Sequence, residues 1–358
     1  MHFVFLDDSI CFDGNTPNVQ ALGGAEKALV GLTEALAACG YQVTVGNRCT
    51  SVCTISGVTW CPLEVIGNVI DLPVDVEIAF RAPALLGRIP AARHRFLWAT
   101  AHPDYLKDPR VSRLLAHHCA DVLVSSLHQA TLWSGDLPAH LLPLGVRSIF
   151  LEVAQRRRKE LNPLPDPIVV TTLHPEHSLD PLLDIWINDI YPRLPKARLV
   201  IMSSGLSVSN LEGRSPQMQD LFQRVQGLAH QGVEVSFPGS DQDMVAMWQK
   251  ARVHLYPLAD YNVCCWTLAE GQACGVPAVA FSAGGALDCI DNGTSGYCVP
   301  DHQAMANVTG HILENDNIFR QLSQGACALG HIRSWKEAAL SLAALCNVRC
   351  APETACTV

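Results

Sequence analysis

Apolar positions along the chain fall into two alternating patterns. Phe3–Leu6 is a short unbroken apolar run, as a strand buried on both faces requires. Between Ala25 and Cys39, the apolar residues Ala25, Ala28, Leu29, Leu32, Leu36 and Cys39 recur at helical spacing. Gly40 then supplies a helix stop, and Tyr41–Val45 alternates as a second strand. Further strands are expected at Val74–Phe80, Arg95–Ala99, Val122–Ser125 and His140–Leu142. Strand and helix alternating in this way predict a mostly parallel sheet with helices on both faces.

The rhythm breaks between Gln155 and Pro167, where a charged run gives way to Asn162-Pro163-Leu164-Pro165-Asp166-Pro167. Proline fixes φ and removes a donor, so this stretch reads as a linker. Strands resume at Ile168–Thr172, Arg198–Met202, Val233–Phe237, Val253–Tyr256 and Pro277–Phe281, with helical stretches between them. Asp180-Pro181 reads as an N-cap followed by proline at the first helical position. From His331 to Cys346, the residues Ile332, Trp335, Ala339, Leu342 and Cys346 share one helical face, which suits packing on either half. The expected division is a domain over 1–160, a second over 161–330, and a C-terminal helix and tail over 331–358.

Composition narrows the class. With 358 residues, 49% hydrophobic and 16% charged, the chain has enough apolar material for two cores and is not disordered. Its formal charge of −9 argues against a nucleic-acid binder. The one basic cluster, Arg156-Arg157-Arg158-Lys159, reads as a solvated linker. The opening His2-Phe3-Val4-Phe5-Leu6-Asp7-Asp8 lacks the basic and long apolar regions of a signal peptide. No apolar run reaches the roughly 18 residues a membrane span needs, so a cytoplasmic protein is expected. Fifteen cysteines, an odd number, are expected as free buried thiols. Cys49, Cys53 and Cys61 are the tightest group, but no second ligand pair follows at zinc spacing, so no metal is expected.

In parallel sheets, ligands bind beyond the carboxyl ends of the strands. The loop Asp7–Gly24 ends in Leu22-Gly23-Gly24-Ala25-Glu26, where Gly23 and Gly24 admit an anion to a helix N-terminus or simply turn the chain into the helix. Lys27 and Ala28 follow where a GxGxxG fingerprint needs glycine, which argues against a nicotinamide dinucleotide. His102, just past a strand, could serve as a base, a donor to a sugar, or a loop residue. The segment Tyr256–Ala280 reads strand, loop, helix, tight glycine turn, strand. Its backbone N–H groups from about Cys264 to Thr267 suit a phosphate. Glu270, about one turn further in, can accept two hydrogen bonds from a vicinal diol such as a ribose. A helix glutamate ordinarily faces solvent, but the apolar neighbours Leu268, Ala269, Ala273 and Cys274 weigh against that here.

This segment resembles the signature of the retaining glycosyltransferases of family 4: a glutamate, seven intervening residues, a second glutamate, then Ala-x-Ala-x-Gly-x-Pro-x-Val. Gly23-Gly24-Ala25-Glu26 is similar to that family's N-terminal Gly-Gly loop, and Leu142-Pro143-Leu144-Gly145-Val146 to its Pro-Asn-Gly-Val segment. Thr171–Leu179 resembles the start of its second lobe, and Phe237-Pro238-Gly239 its Phe-x-Gly loop. Gly284-Gly285 through Asp291–Tyr297 resembles its glycine-rich tail. The resemblance implies an α/β chain of GT-B fold, with two Rossmann-like domains facing each other across a cleft. It implies transfer of a hexosyl group from a nucleotide diphosphate sugar (UDP or GDP) with retention, and without a metal, cofactor or protein nucleophile. Glu270 would bind the ribose; Val263, Cys264, Cys265, Trp266 and Thr267 would contact sugar and diphosphate; His102 would lie near the transferred sugar. Gly23, Gly24, Gly239, Thr172 and His177 would complete the donor site.

Several positions depart from the family. Asn262 stands where the first glutamate contacts the sugar, and an amide carries no negative charge. The family's lysine and arginine for the diphosphate fall on His177 and near Thr172 and Leu173, leaving Arg81 and Arg147 as candidate cations. Cys265-Trp266 replaces a Gly-Leu pair. Two readings follow: a divergent transferase, or a nucleotide-sugar-binding partner subunit without activity. A sugar-nucleotide epimerase of the same shape is a third. The acceptor, whether saccharide, lipid-linked saccharide or protein, is not specified. Lys27 alone on Ala25–Cys39, with a modest patch of Arg110, Arg113, His117 and His118, gives weak support for membrane association.

Overall fold

The first apolar run forms β1 (His2–Leu6), buried at every position. A computed structural model of the protein describes residues 1–159, 163–206, 215–257, 263–328 and 333–350. Contacts divide the chain into two units: Met1–Thr16, Gly23–Gly145 and Arg333–Val358 in the first, Pro17–Leu22 and Val146–Ile332 in the second.

In the first unit, β1 is joined by β2 (Gln42–Asn47), β3 (Cys53–Ile55), β4 (Val58–Pro62), β5 (Val74–Phe80), β6 (Ala92–Ala99), β7 (Asp121–Val124) and β8 (Ala139–Leu141). They form one sheet in the order β3-β4-β2-β1-β5-β6-β7-β8. All pairings are parallel except the β3–β4 hairpin. That hairpin was not expected from the apolar pattern. Its two-residue turn, Ser56-Gly57, has positive φ at both positions (51° and 80°), the geometry that matches strand twist. The helix Gly24–Ala38 ends where Gly40 takes φ +86°. The C-terminal helix Trp335–Cys350 packs on it. Gly31, in mid-helix, leaves room for the Trp335 indole, which any Cβ there would strike. Trp335 in turn meets Trp98 edge to face at 6.4 Å.

The chain passes between the units at the two-residue strand β9 (Gly145–Val146). The second unit contains β10 (Ile168–Thr171), β11 (Arg198–Met202), β12 (Val233–Ser236), β13 (Val253–Tyr256), β14 (Ala278–Phe281) and β15 (Gly296–Val299). Their order is β12-β11-β10-β13-β14-β15, and every pairing is parallel. This is the doubly wound order, with its switch point between β10 and β13. The α/β expectation, with two Rossmann-like sheets, is borne out.

Two local readings need correction. Gln155–Pro167 is not all linker: Ser148–Lys159 is a helix, and it packs on the helices Asp241–Lys250 and Trp266–Ala273. The change of unit therefore comes at Gly145/Val146 and not near residue 160. Arg157 explains why this charged run folds down. Its guanidinium donates to the carbonyls of Gly275 (2.9 Å), Gln249 (2.8 Å) and Trp248 (3.3 Å), at the negative ends of both helices. Burial pulls its pKa below the ordinary value, without discharging it. Gly275, at φ +73°, turns the chain into β14 and also receives the Ser323 hydroxyl on its carbonyl at 2.6 Å. Likewise Asp180 is not an N-cap. The helix Leu179–Ile185 starts after Ser178, and the Asp180 carboxylate pairs with Arg224.

Removing the three Arg157 bonds leaves helix-end carbonyls unmet. Arg157→Met should destabilise the protein by about 2–3 kcal/mol, lowering the melting temperature by about 4–10 °C. Calorimetry checks this, and an unchanged transition contradicts the assigned role.

Candidate functional site

At the switch point of the second unit, the chain leaves β10 and β13 side by side. Thr172 follows β10 directly and is half-buried. Its hydroxyl lies 2.7 Å from that of Thr267 and 3.0 Å from Nε2 of His254. Thr267 is the second residue of the helix Trp266–Ala273, whose N-cap, Cys265, gives no side-chain hydrogen bond to the helix end. Val263, Cys264 and Cys265 are buried, while Trp266 and Thr267 are half-buried. Beneath them Leu173, Tyr256, Leu268, Ala286 and Ile290 form a small apolar cluster with Cys265. Glu270 sits one turn into the helix and is 7% exposed, so it is not a solvent-facing glutamate.

His254 was not singled out by the sequence. The signal was present: one imidazole inside the apolar strand Val253-His254-Leu255-Tyr256. It is fully buried, with its ring 4.8 Å from Trp248 and 5.3 Å from Tyr256. Burial alone pulls its pKa from 6.5 to about 3, so the ring is neutral. Among the described residues, its Nδ1 has no hydrogen-bond partner.

The other expected site residues are placed differently. His177 ends the turn Pro175–His177, is exposed, and stacks loosely on His174 at 4.9 Å. It lines a cavity of about 850 Å³ with Glu176, Asp180, Asp220 and Arg224. Gly239 follows the edge strand β12, two strands from β10. It makes room for Asp243, which reaches back to the Ser240 backbone N–H at 2.9 Å in a capping box. Asn262 lies outside the described residues.

Arg147 belongs to the second unit, where its guanidinium holds the Asp241 carboxylate and reaches Asn18 Oδ1 at 3.3 Å. In the first unit, the switch point between β1 and β5 is occupied by an ion cluster. Arg81 Nη2 lies 2.7 Å from Glu26 and 3.3 Å from Asp7. Both candidate cations are thus already paired with carboxylates. Gly23 is the N-cap of Gly24–Ala38, and the Glu26 carboxylate folds over it into the space a Cβ would take. A helix N-terminus favours a negative charge, and here the chain's own Glu26 provides one. His102 caps the turn Pro103–Lys107, with Nδ1 3.1 Å from Asp104 Oδ2.

Among the described residues, no three His, Cys, Asp or Glu side chains are grouped as metal ligands. No described helix is long and apolar enough to cross a membrane.

Comparison with known proteins bears on this site. Residues 165–315 match the family described as Glycosyl transferases group 1. Over 246 residues, 62% of this chain, the sequence is 26% identical to the D-inositol 3-phosphate glycosyltransferase of Xylanimonas cellulosilytica, covering 56% of that protein. Over 118 residues, 32% of this chain, it is 31% identical to the exopolysaccharide phosphotransferase SCO2592 of Streptomyces coelicolor, covering 12% of it. The chain therefore spans less than two thirds of the length of these relatives. Among solved structures, it resembles sucrose-phosphate synthase from Thermosynechococcus elongatus with a TM-score of 0.72 at 18% identity, over 98% of this chain and 100% of the other. It resembles Anabaena HepE in complex with UDP and glucose with a TM-score of 0.69 at 16% identity, over 96% and 99%. At these identities the likeness shows the fold, which is that of GT-B proteins.

The buried imidazole makes a pH prediction. Its folded pKa lies below its unfolded one, so the unfolded chain binds the proton first. The stability it contributes is complete above about pH 6.5 and is lost as pH falls toward about 3. Imidazole nitrogen NMR shifts of His254 should keep the neutral pattern down to pH 5; a protonated pattern at that pH contradicts the burial argument.

Proposed function

We propose that the protein transfers a hexosyl group from a nucleotide diphosphate sugar to an acceptor, a reading supported by the match of residues 165–315 to the family described as Glycosyl transferases group 1. The observation that carries this reading is the switch-point cluster of the second unit: paired Thr172 and Thr267 hydroxyls at a helix N-terminus, with buried Glu270 one turn on. Hydroxyls and backbone N–H groups at a helix N-terminus suit a diphosphate. A carboxylate one turn deeper suits the ribose diol. HepE has been solved with UDP and with UDP-glucose, so a UDP-sugar is the first donor to test.

In this reading Val263, Cys264, Cys265, Trp266 and Thr267 cradle the diphosphate and sugar. Transfer proceeds with retention and without a metal: the leaving phosphate helps deprotonate the acceptor, and the helix end stabilises its charge. Asn262, eight positions before Glu270, acts on the transferred sugar. The acceptor is a saccharide, a lipid-linked saccharide or a protein.

A second reading is a nucleotide-sugar-binding partner subunit without catalysis. The observation that favours it is the neutral character of the cluster, where Thr172, near the family's arginine position, meets an uncharged His254. Incubating the protein with UDP-, GDP- and ADP-sugars, with and without acceptors, separates the two. Transfer supports the enzyme; tight binding without turnover supports the partner subunit; no binding sinks both.

Glu270→Ala removes the proposed ribose acceptor, a charged partner for two hydroxyls. Titration calorimetry should show nucleotide affinity falling by about 30- to 100-fold, at about 2–3 kcal/mol. Unchanged affinity removes Glu270 from the site.

A further inference from the structure

We propose that His254 is a positioning residue that, through Thr172, aims the Thr267 hydroxyl proton outward at the diphosphate of the bound nucleotide. This rests on the donor-binding reading above and adds a device to it. The three side chains form a short chain of hydrogen bonds: His254 Nε2 to Thr172 Oγ1 at 3.0 Å, then Thr172 Oγ1 to Thr267 Oγ1 at 2.7 Å.

The direction of that chain follows from counting protons. A neutral imidazole carries one N–H. Placed on Nδ1, the proton would be a buried donor with no acceptor among the described residues. Orphaned buried N–H groups are rarer than unmet acceptors, so the proton belongs on Nε2. Nε2–H then donates to Thr172, and Thr172, whose oxygen now accepts, donates its own proton to Thr267. Thr267 Oγ1 is left as the acceptor of that bond, and its proton is released from the cluster. Thr267 is the half-buried end of the chain, where a ligand can meet it, whereas His254 is the sealed end.

The helix is seated to hold this order. Gly271 stands four residues after Thr267, on the same helix face. A Cβ at Gly271 would lie 3.3 Å from His254 Nδ1 and 3.4 Å from the Trp248 ring. The helix therefore lies close over the imidazole at Gly271, and the ring reaches Thr267 through Thr172. A relay of neutral groups supplies a directed donor without a cation, and it adds to the positive end of the helix dipole.

The test is calorimetric titration of the full chain with UDP, GDP and ADP, each beside its nucleoside. Thr267→Val should weaken the preferred diphosphate about tenfold and leave its nucleoside unchanged. Thr267→Ser keeps the hydroxyl and should retain affinity. His254→Phe fills the same buried space without a donor and should give the same diphosphate-selective loss. The double variant His254→Phe/Thr267→Val should be no weaker than Thr267→Val alone. Should His254→Phe fail to fold, Thr172→Val interrupts the same chain and carries the same expectation. Equal loss for diphosphate and nucleoside, additive effects, or an unaffected Thr267→Val overturn the relay while the donor reading stands. Failure of the unaltered protein to bind any of the three diphosphates overturns the donor reading, and the relay with it.

Discussion

Six strands running in one direction put six carboxyl ends along one edge of a sheet, and the candidate site follows from that constraint. In the second unit, the strand order reverses between β10 and β13, so the loops that leave these strands diverge. Thr172 is the first residue beyond β10, and the helix Trp266–Ala273 begins shortly after β13. Parallel pairing thus brings together hydroxyls 95 positions apart in the chain. Arg157 secures the opposite end of the same helix by binding the Gly275 carbonyl. The helix is held at both ends, by a charged cap at one and by hydroxyls and an imidazole at the other.

The two units make different use of the same topology. At its switch point the first unit gathers charge: Asp7 after β1, Arg81 after β5, and Glu26 on the first turn of Gly24–Ala38. Burial raises the Asp7 carboxyl, while the Ser9 hydroxyl and Arg81 draw it back. The second unit gathers neutral donors around Thr172, and its buried carboxylate, Glu270, lies a turn deeper. An anionic ligand therefore meets a carboxylate at the helix end of the first unit and hydroxyls at that of the second. This difference in charge, more than the shared fold, is the reason the diphosphate proposal rests on the second unit.

Much of the fold was legible because strands buried on both faces are apolar at nearly every position. Val74–Phe80, Arg198–Met202 and Val253–Tyr256 are strands with the bounds their apolar runs suggest. The helix Ser148–Lys159 was obscured by Arg156-Arg157-Arg158-Lys159, because charge normally marks solvent. Arg157 breaks that rule by spending its charge on helix-end carbonyls far away in sequence, which no local pattern records. Asp180 looked like an N-cap, but its partner Arg224 lies 44 residues on. In the candidate site, the helix that carries Glu270 and the burial of that glutamate among apolar neighbours were legible. His254 was not, since a single imidazole in an apolar strand reveals neither its burial nor its threonine partners. His177 is exposed and lines a cavity with Asp180 and Arg224, partners that its place in the sequence does not indicate.

The central claim is that a nucleoside diphosphate binds at the switch point of the second unit. Amide hydrogen exchange of the intact protein, followed with and without saturating UDP, tests it most directly. The account predicts slowed exchange at Thr172 and across Cys265–Glu270, with the Gly275 turn at the far end of the helix unchanged. Saturable UDP binding that leaves Cys265–Glu270 unprotected would contradict it.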